Sequence, residues 1–199
     1  MKNRKLRKII LTICSAMLLV TLSVGATFAY LTSTDEVVNT FTVGKVAITL
    51  DETDVDANGE KDGNTRVKAN EYKLMPGHEY TKDPVVHFAA GSEASWLFVK
   101  VENDIAAIEA ETTIADQIVD NGWTALDGVD GVYYKSVAAN TTDAAADYEV
   151  FEKFTIKDDV NNDTLAKYAD ETITVTAYAV QADGLDTVAE AWAAAPTGN

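Results

Sequence analysis

In the stretch Thr172-Ile173-Thr174-Val175-Thr176-Ala177-Tyr178-Ala179-Val180, Thr172, Thr174 and Thr176 lie on one phase and Ile173, Val175, Ala177 and Ala179 on the other. Only an extended strand with one face wet and one face dry keeps such a period of two. The same rhythm recurs along the chain. Val46, Ile48 and Leu50 alternate with Lys45, Ala47 and Thr49, and Leu97, Val99 and Val101 alternate with Trp96, Phe98 and Lys100. Tyr148, Val150, Phe154 and Ile156 alternate with Glu149, Lys153 and Thr155, with Glu152 out of phase. Shorter strands are expected at Val37–Val43, Thr65–Leu74, Val85–Phe88, Gln117–Val119 and Val132–Val137. Turn pairs separate them, among them Asn58-Gly59, Asp62-Gly63, Pro76-Gly77, Asn121-Gly122 and Asp127-Gly128. Helix is expected only at Asp104–Ala115, for one turn at Asp163–Tyr168, and at Asp186–Ala195 with Asp186 as its N-cap. Many short strands at regular spacing predict a mainly β fold, a jelly-roll-like antiparallel β-sandwich with a few short helices.

The N-terminus follows different rules. Lys2, Arg4, Lys5, Arg7 and Lys8 precede an apolar run from Ile9 to Val24, and no acid occurs before Asp35. Thr27-Phe28-Ala29 then offers a small-x-small site. This order reads as a secretory signal helix over residues 1–29, cut between Ala29 and Tyr30, ahead of a single domain over 30–199. The competing reading is an uncleaved anchor, because the run approaches the roughly 20 residues that cross a bilayer. Cys14, the one cysteine, lies inside this segment, so disulfide scaffolds and cysteine-based zinc ribbons are excluded from the domain.

Charge narrows the function classes. The 199 residues carry 16 Lys+Arg against 32 Asp+Glu, a net charge of −16. Cleavage would remove five of the basic residues and no acid, taking the net charge to −21. No nucleic-acid partner is expected, since phosphates need neutralising and acids outnumber bases two to one in this chain. An exported, cysteine-free, acidic chain suits the outside of a Gram-positive cell, and its copies repel one another at neutral pH unless acid or divalent cations intervene.

Catalytic signatures are sparse. No G-x-S-x-G elbow is present, and His78-Glu79 lacks the second histidine of an HExxH motif. His87 is nine residues from His78 across Pro84, so a shared helix face is ruled out. A zinc set of His78 and His87 with Glu79 or Asp83 requires strand pairing to assemble it, and two strand-edge histidines explain the same letters. Asp54, Asp56, Asn58 and Asp62, around Gly59, match the opening of a calcium loop, in which alternate oxygens before a glycine turn face one concave side. The twelfth position is Thr65 where a bidentate glutamate closes such loops, so any Ca²⁺ site here is weak. A solvated acidic hairpin tip is the alternative. No other cofactor is indicated.

Three segments carry a family resemblance. Gly25–Leu50 (GATFAYLTSTDEVVNTFTVGKVAITL) places Asn39, Phe41, Gly44, Val46 and Ile48 in an N-x-F-x-x-G-x-V-x-I pattern. Leu74–Val86 (LMPGHEYTKDPVV) forms a turn and strand, and Thr176–Gly184 (TAYAVQADG) a last strand. Together these resemble the TasA/camelysin family. The resemblance implies a secreted jelly-roll protein that self-assembles into extracellular fibres of a biofilm matrix or cell surface layer. It also implies processing by a SipW-type signal peptidase and minor matrix or anchor proteins as further partners. A camelysin-type zinc metallo-endopeptidase at the cell surface is the alternative it carries, and a monomeric surface adhesin a third. Within the fibre reading, residues 30–38 are a donor-type segment, with Leu31, Val37 and Val38 as the apolar residues that add to the open sheet edge of a neighbouring copy.

Overall fold

A computed structural model describes residues 44–196. The chain divides into two units, Met1–Thr42 and Val43–Asn199, and every described element belongs to the second. The expected signal segment, the Ala29/Tyr30 junction, the donor segment with Leu31, Val37 and Val38, and the strand at Val37–Val43 all lie outside the described residues.

The fold is mainly β, with 37% strand and 16% helix. Ten strands run in the order β1 (Ile48–Val55), β2 (Lys61–Val67), β3 (Glu79–Thr81), β4 (Val85–Phe88), β5 (Ser95–Asn103), β6 (Thr124–Ala125), β7 (Val132–Val137), β8 (Ala146–Glu149), β9 (Lys153–Thr155) and β10 (Ile173–Gln181). They form two four-stranded antiparallel sheets, β2-β1-β4-β8 and β10-β5-β7-β6, and a two-stranded ribbon, β3-β9. The chain crosses between the sheets at β4–β5 and again at β7–β8, the double-sheet pattern of a jelly roll. Three short α-helices accompany them: α1 (Ile114–Asp120), α2 (Asn162–Leu165) and α3 (Val188–Ala194).

The period-two runs explain the layers. β5 and β10 pair without interruption from Ile173 opposite Asn103 to Gln181 opposite Ser95. Leu97, Val99 and Val101 of β5 face inward with Val86 and Phe88 of β4, and Ile173 and Val175 of β10 pack on the same core. The alternate residues of β5 are not left to water. Phe98 joins Leu126, Val132 and Ala191 in a second small core, which Trp192 of α3 and Tyr178 of β10 help cover. Burying Phe98 and Leu97 completely, on opposite faces of one strand, contributes about 1.5–3 kcal/mol for each side chain. Both faces of this sheet are therefore structural.

Five expectations change. Gln117–Val119 is helical, because Thr113 and Asp116 form a reciprocal capping box that starts α1 and turns Ile114 and Ile118 onto one buried face. The helix expected over Asp104–Ala115 is only a 3₁₀ turn at Ala106–Ile108. Beyond it the backbone leaves to pair with the segment after β9, where Glu109 bridges Ile156 and Ala110 N–H donates to the Thr155 carbonyl. The strand expected over Thr65–Leu74 stops at Val67, and the Asn70 side chain takes its place beside β1, accepting from Val55 N–H and donating to the Thr53 carbonyl. The run Tyr148–Ile156 divides between β8 and β9, because Val150 and Phe151 are both buried and break the alternation. The terminal helix is capped by Thr187 rather than Asp186, through a second capping box with Glu190. The turn at Asp163–Tyr168 forms as expected, as α2 followed by a 3₁₀ turn.

Candidate functional site

Among the described residues β10 is hydrogen-bonded to a strand on one side only, that of β5. Beside it lies a groove with a volume of about 1140 Å³. Ile173–Ala177 of β10, Leu50–Glu52 of β1, the segment Lys68–Leu74 and Asn162 and Leu165 of α2 line it. β1 contributes because β2 reaches only as far as Glu52, which pairs with Val67, leaving the first half of β1 paired with β4 alone among the described strands. The groove thus follows the seam where one sheet ends and the other begins.

Its lining mixes apolar residues, Leu50, Phe154, Leu165 and Val175 among them, with charged ones such as Lys68, Glu71, Lys73 and Asp170, and it includes a buried ion pair. Lys82 Nζ lies 2.6 Å from Glu52 Oε2, with the two side chains only 10% and 6% exposed. Asn70 Nδ2 donates to the other carboxylate oxygen at 2.9 Å. Burial, with the Glu52 charge adding to it, pushes the Tyr72 phenol well above its ordinary value, and Tyr72 donates its hydroxyl to the Thr81 carbonyl.

A second network covers the outward face of the first sheet. His87 lies between two carboxylates, with Nδ1 2.6 Å from Asp147 and Nε2 2.9 Å from Asp51. Arg66 bonds the Asp51 carboxylate and reaches the backbone carbonyls of Asp51 and Asp83, each at 3.0 Å. Asp83 in turn accepts from the backbone N–H and the hydroxyl of Thr53. Partial burial works to lower the His87 pKa, but hydrogen bonds and charge from Asp51 and Asp147 outweigh it and raise it. Burial likewise works to raise the Asp51 carboxyl, and the bonds from Arg66 and His87 outweigh it and hold it low.

The acidic hairpin is the β1–β2 turn. Asp56 Oδ1 accepts from the backbone N–H groups of Asn58 and Glu60, bonds that lower its carboxyl pKa. Asp54 accepts from the Thr65 hydroxyl, and Asp62 is exposed on β2. The candidate calcium residues therefore share one hairpin, with Asp56 folded over its own turn. The tip is docked against β3, where His78 Nε2 meets the Asn58 carbonyl at 2.8 Å. Gly59 sits at φ 78° with the Tyr80 backbone against it, and a Cβ there would stand 2.8 Å from Tyr80 Cα. His78 belongs to this contact and His87 to the carboxylate network, so the two histidines serve different elements. Among the described residues no three His, Cys, Asp or Glu side chains group so as to hold a metal ion.

Sequence reading missed the Glu52–Lys82 pair, although a signal for it exists. Lys82 falls in phase with Tyr80, Pro84, Val86 and Phe88, all buried, and Glu52 in phase with Ile48 and Leu50. Charges on the dry phase of two strands mark an internal pair.

A family model described as Camelysin metallo-endopeptidase matches residues 5–75. Over this stretch the chain matches the camelysin family. The TasA/camelysin resemblance agrees with it. The camelysin match takes in β1, β2, Glu52, Asn70 and Tyr72, and ends at Met75, so Lys82, His87, Asp147 and β10 lie beyond it. No curated protein and no solved structure matches the chain.

Proposed function

We propose that the chain is a secreted structural protein that self-assembles into extracellular fibres at the surface of, or in the matrix around, a Gram-positive cell. The observation that carries this reading is that, among the described residues, β10 pairs with a strand on one side only, beside a groove that mixes aliphatic and charged residues. An edge strand of this kind templates pairing with another chain unless it is short, charged or covered, and β10 is nine residues long and without a charged side chain. The occupant is the segment Tyr30–Val38 of a second copy, released by cleavage between Ala29 and Tyr30. Backbone hydrogen bonds to β10 would supply affinity, with Leu31 and Val37 turned into the groove and Val38 on the opposite face of the strand. Such addition is head-to-tail and does not close, so it grows filaments. A SipW-type signal peptidase is the processing partner in this scheme, and minor matrix or anchor proteins would terminate or tether the fibre.

The family description also raises a zinc endopeptidase. The described residues do not fit a catalytic zinc, because His78 and His87 are committed to different contacts and no three-ligand group exists among them. Stoichiometric zinc and chelator-sensitive proteolysis by the purified protein would favour that reading over ours. The test of assembly compares secreted protein beginning at Tyr30 with a version beginning at Asn39, both checked for folding by circular dichroism. Filaments in electron micrographs are expected from the longer chain only, and equal polymerisation by the shorter one would remove the N-terminal segment as the link.

A further inference from the structure

A buried ion pair by itself gives a fold little that apolar residues would not. Glu52 and Lys82 have a third member. The Glu52 carboxylate holds Lys82 Nζ at 2.6 Å on one oxygen and Asn70 Nδ2 at 2.9 Å on the other. One carboxylate therefore gathers a primary amine, a carboxamide and a proton acceptor at the wall of the groove. The amide is fixed at both ends, since Nδ2 also donates to the Thr53 carbonyl at 2.8 Å and Oδ1 accepts from Val55 N–H at 3.0 Å. The pairs Lys100–Glu102 and Lys153–Glu79 are more exposed, and among the described residues neither glutamate also accepts from a side-chain amide.

We propose that Lys82 and Asn70 join in an intramolecular amide bond, with Glu52 carrying the protons. Lys82 Nζ passes a proton to Glu52 Oε2 along their contact, trading two buried charges for a neutral amine and acid. The Nζ lone pair then adds to Asn70 Cγ. Negative charge gathers on Oδ1, where the Val55 N–H is already directed, the arrangement of an oxyanion hole. Glu52 gives its proton to Nδ2 and takes one from Nζ, the Cγ–Nδ2 bond breaks, and ammonia leaves through the groove. The ammonia carries the last proton away as ammonium, which restores the Glu52 carboxylate. An Nζ–Cγ bond has replaced a Cγ–Nδ2 bond, with no oxidant or reductant consumed. A free amine attacks a free amide poorly in water, and holding both on one carboxylate supplies the proximity that solution lacks. The product ties the segment Lys68–Leu74, which has left the sheet after β2, to the residue that follows β3. It forms within one copy and does not depend on the assembly reading.

Mass reads the bond directly. The secreted protein, denatured, should weigh one ammonia less than its sequence requires. Trypsin cuts after Lys68 and Lys73, so the digest should hold Ala69–Lys73 joined through Asn70 to a peptide left uncut at Lys82. Lys82→Arg keeps a cation for Glu52 without the amine, and Glu52→Gln keeps hydrogen-bonding capacity without the proton carrier. Both variants should retain full mass and release Ala69–Lys73 as a free peptide. A folded parent protein of full mass overturns the proposal, whatever the variants do. Ammonia lost without the branched peptide also overturns it, because ring closure at Asn58-Gly59 or Asn121-Gly122 sheds the same mass. A branched peptide that persists in folded Glu52→Gln overturns the role given to Glu52.

Discussion

His87 and Asp147 are paired directly across the β4–β8 ladder, with Nδ1 and Oδ1 2.6 Å apart. Because Asp51 holds the other ring nitrogen, the imidazolium form satisfies two carboxylates at once, and the neutral form can donate to only one. The pKa of His87 is raised in the folded chain above 6.5, so its contribution to stability is complete below that pH and is lost as pH rises through the folded value. Asp51 moves the other way. Its carboxyl is held below 3.8, so its contribution is present above that pH and lost as pH falls through the folded value. Arg66 pairs with both Asp51 and Asp83 on the same face. Urea unfolding from pH 5 to 9 should show stability falling across the neutral range, and His87→Gln should flatten that part of the profile. A parent profile as flat as the variant's would mean the link contributes nothing.

The separation of these partners explains what the sequence does and does not disclose. β5 and β10 are legible because each residue declares its face through its neighbours two positions away, and Leu97, Val99 and Val101 pack inward as that rule requires. His87 and Asp147 stand 60 residues apart, and Glu52 and Lys82 30 apart, so their meeting depends on strand order, which periodicity does not encode. Short elements are hidden for a different reason. Thr113 with Asp116 and Thr187 with Glu190 are capping signals, but they compete with apolar letters such as Ile118-Val119 that suit a strand equally well. The groove is not legible at all, since it is a property of two strand edges, in β1 and β10, that come from opposite ends of the domain.

Glu109 is 4% exposed, and burial raises its carboxyl pKa above 4.5 despite a bond from the Ile114 N–H. A carboxyl that is harder to ionise in the folded chain costs stability as pH rises from the unfolded value through the folded one. Glu109→Gln keeps an acceptor for the Ile114 N–H and removes the charge. The variant should be more stable than the parent at pH 7 and indistinguishable from it at pH 3, measured by thermal melts at both. A variant less stable at pH 7 would show that the ionised carboxylate is the better partner.

The hairpin tip makes a sharper structural demand. Gly59→Ala must hold a left-handed φ of 78° and also fit a methyl against the Tyr80 backbone. The strained backbone alone costs about 1–3 kcal/mol, and the contact adds to it, so a fall in melting temperature of several degrees is expected. Asp56→Ala tests the same turn differently. Its carboxylate serves the N–H groups of Asn58 and Glu60, so the loss in melting temperature should be the same in chelator and in millimolar calcium. A calcium-induced rise in the parent that the variant abolishes would instead assign the carboxylate to a bound ion.

The edge of β10 can be closed by a single charge. Val175 lines the groove and is half-buried, so Val175→Lys would place an ammonium where an incoming strand must lay apolar side chains. In the isolated copy the long lysine stem can lie along the groove and carry its charge to water, which keeps the fold. Once a strand covers the groove that escape is shut, and the charge must be desolvated. Val119, 53% exposed on α1 and outside the groove lining, provides the matched control as Val119→Lys. Both variants carry the same added charge, so general electrostatic effects on an acidic protein should be equal. Sedimentation and electron microscopy at matched concentration should find filaments from Val119→Lys and none from Val175→Lys, with both monomers folded by circular dichroism. Filaments of normal length from folded Val175→Lys would place the growing contact on some surface other than the β10 edge.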